Sequence, residues 1–236
     1  MKITLPKHPI RDMTRQEKLL WLGSAGAVLL ANLCSGAPDG LTLCAALVGV
    51  TSLVLAAGGN VWSQILMILF SLLYGAISFR FRYWGEMITY LGMTLPMAVW
   101  STDTWMKHPS RDNGAQVAIQ PLGMRHLWGL ALSSCGVTGL FYFILRWLET
   151  PNLGFSTLSV LTSFLAAALT MLRSSYYALA YGANDLVLIV LWVMATREDP
   201  AYLPVAVNFT LFFVNDLYGF FRWKQRERRE TGDPAR

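Results

Sequence analysis

The sequence predicts an all-α integral membrane protein with about eight transmembrane helices and both ends on the cytoplasmic side. Three observations carry this. Of 236 residues, 54% are hydrophobic and only 14% are charged, with a mean hydropathy of +0.42; soluble domains carry about 25% charged residues. The apolar residues fall into blocks near the ~20 residues that an α-helix needs to cross ~30 Å of hydrocarbon. Counted as eight spans, those blocks put fifteen of the 19 basic residues on one side.

The expected spans are 19–35, 41–57, 61–79, 84–100, 126–147, 153–172, 176–195 and 201–221. Block length and the lack of period-two alternation favour helices over barrel strands. The first block follows Lys2, Lys7, Arg11, Arg15 and Lys18 and ends at Cys34-Ser-Gly-Ala. That pattern superficially resembles a secretory signal. The basic lead is long and apolar blocks follow at once, so a retained span is expected. Turns are expected at Gly-Ala-Pro-Asp-Gly (36–40), Thr-Pro-Asn (150–152) and Glu-Asp-Pro (198–200). The longer hydrophilic stretch 101–125 reads as a mobile loop.

Orientation follows from charge. The N-terminal lead, Lys107, Arg111 and Arg125, Arg173, and the cluster from Arg222 to Arg236 share one side. Only Arg80, Arg82, Arg146 and Arg197 fall on the other. Seven spans would strand the basic tail outside, against the positive-inside rule. The net charge of +5 is thus accounted for by lipid headgroups, with no nucleic acid implied. The tail 222–230 reads as a basic, lipid-facing segment.

Cys34, Cys44 and Cys135 lie in apolar stretches without metal-ligand spacing, and read as small buried apolar residues. His8, His108 and His126 are terminal or in the loop, which argues against a histidine metal site. Trp84, Trp100, Trp105, Trp147 and Trp223 lie at span ends, with Trp21 and Trp128 similar; interfacial anchoring is the expected role. Trp192 lies deeper. No phosphate loop, nucleophile elbow or carboxylate pair is visible, so no enzyme activity and no cofactor are expected.

Polar side chains inside hydrocarbon cost a few kcal/mol unless paired or facing water, so they mark candidate sites. In the seventh span Tyr177, Tyr181, Asn184 and Asp185 are spaced i, i+4, i+7 and i+8, on one helix face. Two phenols, an amide and a carboxylate suit a polar ring or sugar; they equally suit an interhelical hydrogen-bond clamp. The eighth span holds Asn208, Asn215 and Asp216, deep enough to need partners. The fourth holds Glu86, Thr89 and Tyr90, then Pro96, which is expected to bend it near its middle. Glu86 also reads as an end residue or a partner for Arg80 or Arg82. Gln64 is a buried amide of the third span.

Spans two to four and six to eight look weakly alike. Each triplet has a polar, aromatic middle helix, a charged turn and a final helix closing on Trp100 or Trp223. Both triplets share one orientation, the parallel-repeat plan with a substrate site at the repeat interface.

Tyr74-Gly-Ala-Ile-Ser-Phe, Tyr83-Trp-Gly-Glu-Met-Ile-Thr-Tyr-Leu-Gly-Met-Thr-Leu-Pro-Met, Asn184-Asp-Leu-Val-Leu-Ile-Val-Leu-Trp and Val214-Asn-Asp-Leu-Tyr-Gly-Phe-Phe-Arg-Trp resemble the signature of PnuC-type vitamin transporters. The resemblance spans roughly residues 50–225. It implies a three-plus-one-plus-three (SWEET-like) core with an extra first helix, assembled as a homotrimer in the bacterial inner membrane. It implies facilitated diffusion of nicotinamide riboside, trapped by a cytoplasmic kinase, without ATP or a known coupling ion. Relatives carry thiamine, riboflavin or deoxyribonucleosides. The expected layout is 1–40 N-terminus and accessory helix, 41–100 first repeat, 101–152 loop and linking helix, 153–221 second repeat, and 222–236 tail.

The family often has an Asn a turn after Tyr-Gly-Glu, and a Gln further on; Tyr90 and Ala98 fill those places here. Where it shows Trp-x-x-Trp-x-x-x-Asn, this chain has Tyr177, Ala180 and Asn184. The resemblance therefore implies a distinct subgroup. The candidate substrate contacts are Tyr177, Tyr181, Asn184, Asp185, Asn208, Asn215, Glu86, Tyr90 and Gln64. Aromatic faces suit a cationic nicotinamide ring, and amides and carboxylates suit ribose hydroxyls.

Overall fold

A computed structural model describes residues 9–10, 13–34, 38–110, 114–150 and 152–230. The described chain is helical: α1 (Arg15–Cys34), α2 (Gly40–Ala57), α3 (Trp62–Arg80), α4 (Trp84–Thr89), a π turn (Tyr90–Thr94), α5 (Leu95–Lys107), α6 (Met124–Trp147), α7 (Leu153–Met171), α8 (Tyr177–Glu198) and α9 (Leu203–Glu230). Six of these, α2, α3, α6, α7, α8 and α9, have the length and apolarity to cross a membrane. The two other expected spans are less regular. Helix α1 opens on Arg15, Glu17 and Lys18, which shortens its apolar part. The stretch 84–100 is α4, the π turn and the start of α5.

The π turn is the form that the expected bend takes. Pro96 lacks an N–H, and its ring crowds the carbonyl one turn back. The backbone responds one turn earlier by widening: the Leu95 N–H bonds to the Tyr90 carbonyl, five residues behind.

Six segments close into a ring. Helix α2 packs on α3, α3 on α4 and α5, α5 on α7, α7 on α8, α8 on α9, and α9 returns to α2. Helix α1 lies outside against α2 and α9, and α6 lies outside against α7. The core between them is apolar and aromatic, with Val50, Phe70, Tyr74, Leu188 and Phe209 buried.

One end of the ring is locked twice, in the same way. Helices α2 and α7 both end with a residue at positive φ, Gly59 (71°) and Arg173 (57°). In each, the next N–H reaches back five residues: Asn60 to Leu55 O (3.0 Å) and Ser174 to Leu169 O (2.9 Å). This is the Schellman way of satisfying terminal carbonyls. The carbonyls of Ala56 and Thr170 each also accept an indole N–H, from Trp223 and Trp105, both at 2.9 Å. The two indoles lie 5.6 Å apart. Trp105 and Trp223 are thus fully buried, not interfacial anchors; helix-end carbonyls lack intrahelical partners and draw these donors inward. Trp100, Trp128 and Trp147 are exposed, as anchors are.

The stretch 101–125 differs from the mobile loop expected of it. Helix α5 runs to Lys107, and residues 108–110 and 114–123 form a strap pinned beneath the ring. Val117 N–H bonds to Gly59 O at 3.0 Å, and Arg226 donates to Val117 O at 2.7 Å. The Glu230 carboxylate accepts from Ser110 Oγ (3.1 Å) and Ile119 N (3.0 Å). Arg173 holds Ala118 O and the Gln120 side chain. The tail through Glu230 is the end of α9; its Arg226 and Glu230 bond to the strap, while Gln225, Arg228 and Arg229 stay exposed. Residues 231–236 and 111–113 lie outside the described residues, as does His8.

The cysteines also differ from expectation: Cys34, Cys44 and Cys135 are exposed. Lipid tails are as apolar as a protein core, so hydropathy does not separate the two surroundings.

Helix α1 is tied on by charge. Glu17 and Thr14 form a reciprocal cap, with Thr14 N to Glu17 Oε2 at 2.7 Å, and Glu17 Oε1 meets Arg222 of α9 at 3.5 Å. At the opposite end, Asp39 caps α2 through the Thr42 N–H (2.9 Å) and hydroxyl (2.6 Å), and pairs with Arg80 (2.8 Å). The Thr42 hydroxyl above all, with its N–H and Arg80, holds the Asp39 carboxyl below its usual range.

Two outcomes are expected in thermal unfolding of detergent-solubilised protein. Trp223→Ala costs ~3–5 kcal/mol as a buried aromatic truncation, and Trp223→Phe costs ~1–2 kcal/mol for the stranded Ala56 carbonyl. Asp39→Asn lowers the midpoint at neutral pH. Because the folded-state carboxyl is held low, its stabilisation is present above about pH 4 and fades as pH falls below that; the gap to the parent chain narrows accordingly.

Candidate functional site

Among the described residues, two cavities along the ring use the irregular α4–π–α5 segment. The larger is a vestibule of ≈360 Å³ at the end opposite the strap. Its wall is built from the α3–α4 turn, the α6–α7 turn and the end of α8. Glu86 and Thr89 of α4 line it, both buried. Glu149, Glu198 and Arg82 line it as well, so three carboxylates face one guanidinium. Trp84 and Tyr83 add aromatic faces. Tyr83 also packs against Trp192 and Tyr202, with centroids 5.0 and 5.6 Å away. Burial pushes the Tyr83 hydroxyl's pKa well up, so it stays neutral.

The second cavity, ≈30 Å³, lies at the centre of the ring. That volume is close to one water molecule. Rings of Phe70, Tyr90, Tyr181, Phe209 and Phe212 line it, with the polar groups of Ser163, Asn184, Asp185 and Asp216. Phe70 and Phe212 meet edge-on at 5.7 Å, and Phe209 and Phe212 at 5.6 Å. Gly49 of α2 is what lets them sit there. A Cβ at Gly49 would lie 2.4 Å from Phe212 Cζ and 3.0 Å from the Phe70 ring. The Phe212 ring rests directly on the bare backbone of α2.

Tyr90 lines the central cavity, one turn beyond Glu86 of the vestibule. It is buried in the π turn, 4.4 Å from the Tyr74 ring, and lies within electrostatic reach of both Glu86 and Asp185.

The nine sequence-expected contacts separate into groups. Tyr90, Tyr181, Asn184 and Asp185 are brought together at the central cavity. Glu86 lines the vestibule. Tyr177 is buried one turn lower, its ring 4.7 Å from Trp223, where it joins the indole lock. Gln64 is buried at the start of α3, donating to Ser63 Oγ at 3.2 Å. Asn215 turns outward from the ring: its amide donates to Ser24 Oγ of α1 at 3.0 Å and to Leu211 O at 2.7 Å. Asn208 is buried in α9 with its Oδ1 lacking a donor among the described residues, and it lines neither cavity.

Asn184 does two things at once. Its Oδ1 accepts from three hydroxyls of α7: Thr162 (2.9 Å), Ser163 (3.0 Å) and Ser159 (3.5 Å). It is the clamp between α7 and α8, and it also faces the cavity.

Sequence reasoning marked Asp216 as a buried polar residue but left it off the substrate contacts, and it passed over the three phenylalanines, Glu149 and Glu198. Asp216 follows Asn215 directly, and two neighbours on a helix point about 100° apart. One of them had to face α1 and the other the ring interior. The phenylalanines carry no polar signal that separates them from ordinary core.

Asn184→Ala is expected to lower stability by ~1–2 kcal/mol, the range for interhelical hydrogen bonds in membranes, read as a shifted unfolding midpoint in detergent. Gly49→Ala is expected to drive the Phe212 and Phe70 rings into the cavity. Solute flux in reconstituted vesicles should fall at least severalfold while the chain still inserts and folds.

The comparisons point one way. Residues 39–225 match the family model described as nicotinamide mononucleotide transporter. A nicotinamide riboside transporter PnuC of Neisseria mucosa is 25% identical over 222 residues, covering 91% of this chain and 81% of that one. One of Haemophilus influenzae is 23% identical over 194 residues, covering 81% and 83%. The crystal structure of the vitamin B3 transporter PnuC superposes with a TM-score of 0.80 at 22% identity, covering 92% of this chain and 94% of that one.

Proposed function

Because the chain belongs to the nicotinamide mononucleotide transporter family, a family of multi-pass membrane transporters, we propose that it takes up nicotinamide riboside by facilitated diffusion across a bacterial inner membrane. A cytoplasmic kinase phosphorylates the product and traps it. The observation that carries the reading is the central cavity, lined by aromatic rings and carboxyls, beneath a vestibule of nucleoside size.

The chain's parts take the following roles. The vestibule faces outward and the strap faces the cytoplasm, in keeping with the basic residues gathered at the strap end. Eight spans, with α4–π–α5 as the fourth and α1 as an accessory span, keep both termini inside. The core is 41–100 and 153–221, joined by the linking helix. Supporting this, the contact ring runs alike in both triplets: the first helix of each packs on the third of the other. Helix α6 leaves Leu132, Leu140 and Phe143 exposed and packs on α7, which suits lipid and neighbouring copies in a homotrimer.

Substrate enters between Glu86 and the aromatic rim, passes Tyr90, and is held by Tyr181, Asn184 and Asp185. Tyr177, Gln64, Asn208 and Asn215 shape the walls from behind. The exposed Glu149 and Glu198 outnumber Arg82 at the vestibule, which disfavours a phosphate dianion and favours the riboside over its mononucleotide. A second reading is thiamine, another aromatic cation.

The test is uptake of labelled nicotinamide riboside into proteoliposomes. Saturable uptake above empty vesicles is expected, with nicotinamide mononucleotide a poor competitor; uptake equal to empty vesicles would sink the reading. Glu86→Gln is expected to raise the KM about five- to tenfold, equivalent to ~1–1.4 kcal/mol, with little change in folding.

A further inference from the structure

We propose that helix α1 is a positioning element for transport: through Ser24 and Trp21 it braces the seam between α2 and α9, and so sets how Phe212 and Asp216 face the central cavity. The proposal rests on the transporter reading above and gives a role to the helix that stands outside the ring.

The buried residues of α1 are Glu17, Ser24, Val28 and Asn32, a stripe with one apolar member. Its opposite face is leucine: Leu19, Leu22, Leu29, Leu30 and Leu33 are exposed. Lipid tails are as apolar as a helix surface, so apolar contact alone does not hold such a helix against its neighbours. Polar bonds do, and they run from α1 to both sides of the seam. The Trp21 indole donates to Thr51 Oγ1 of α2 at 2.9 Å, and Asn32 Nδ2 donates to the carbonyl of Asp39, the cap of α2, at 3.1 Å. Ser24 Oγ accepts from Asn215 Nδ2 of α9 at 3.0 Å, and Glu17 meets Arg222 of α9 at 3.5 Å.

The seam belongs to both halves of the ring, since α2 opens the first triplet and α9 closes the second. It is also where the Phe212 ring rests on Gly49. Asn215 transmits the tie. It is 1% exposed, its Nδ2 donates to Ser24 and to the Leu211 carbonyl of its own helix, and its Oδ1 meets no donor among the described residues. Phe212, three residues back, and Asp216, one residue on, both line the cavity. All three ride on one rigid helix at 100° per residue, so a rotation of α9 that carries Asn215 off Ser24 turns the other two by the same angle. An interhelical hydrogen bond in a membrane is worth about threefold in an equilibrium. That shifts the balance between two orientations of α9 measurably and is too small to unfold the chain.

The experiment uses the full-length chain with two readouts. Uptake of labelled nicotinamide riboside into proteoliposomes gives KM and the maximal rate. Nitroxide labels on the exposed Cys44 of α2 and on Leu203→Cys of α9, with Cys34→Ser and Cys135→Ser, give the α2–α9 distance at the vestibule end without substrate. Ser24→Ala should raise KM about threefold or more with the maximal rate held within about twofold, and should shift or broaden the label distance. Trp21→Phe keeps a ring but removes the N–H to Thr51, and should do the same. Ser24→Thr keeps the hydroxyl and should restore both parent values. Parent KM and parent distance in folded Ser24→Ala and Trp21→Phe overturn the brace. So does a lower maximal rate at unchanged KM and distance, the mark of a helix needed only for stability. No saturable uptake by the parent chain, with a distance that still shifts in the variants, overturns the riboside reading and keeps the brace.

Discussion

The fold hangs on two indole-to-carbonyl hydrogen bonds that cross between its halves. Trp223 closes the end of α2 and Trp105 closes the end of α7, and the two rings lie against each other. A helix end buried in an apolar bundle needs partners for its last carbonyls, because no water reaches them. Drawing those partners from the opposite half fixes the relative position of both triplets at one end. The strap then covers the lock, bonded to Gly59 O, to Arg173 and to the last turn of α9. The vestibule sits at the other end, and the central cavity lies between the two.

The apolar blocks and the charge asymmetry made the helical membrane fold legible, since both are imposed by the bilayer and both are one-dimensional properties. The spacing of Tyr181, Asn184 and Asp185 also carried through to the cavity, because a helix converts i, i+3 and i+4 directly into a shared face. What stayed hidden depends on contacts between distant segments. Trp105 and Trp223 look like interfacial anchors until Thr170 and Ala56 are placed beside them. The strap looks like a loose hydrophilic loop until Glu230, more than a hundred residues away, accepts its N–H. Asn215 and Asp216 are equally polar neighbours, and only α1 decides which of them faces outward. Pro96 signals a bend, but not that the bend takes the form of a π turn.

Strength and opening are divided between different chemistries. The clamp at Asn184 and the indole locks are directional and costly to break in a dry interior. The plug of the central cavity is made of phenylalanine rings, which slide without losing a hydrogen bond. Phe212 rests on the bare backbone of Gly49, so its withdrawal leaves no stranded polar group. A small rotation of α9 against α2 would then enlarge the cavity, while the locked end holds its register.

The reciprocity of the two indole bonds bears on ancestry. Each three-helix half supplies the donor that the other half lacks, so a half-length polypeptide would leave the terminal carbonyl of its own first helix bare. Such a molecule would have had to pair with a second copy to be complete. The reciprocity does not extend to charge: Asp216 stands seven residues before Trp223, and Ala98 stands at the same distance before Trp105.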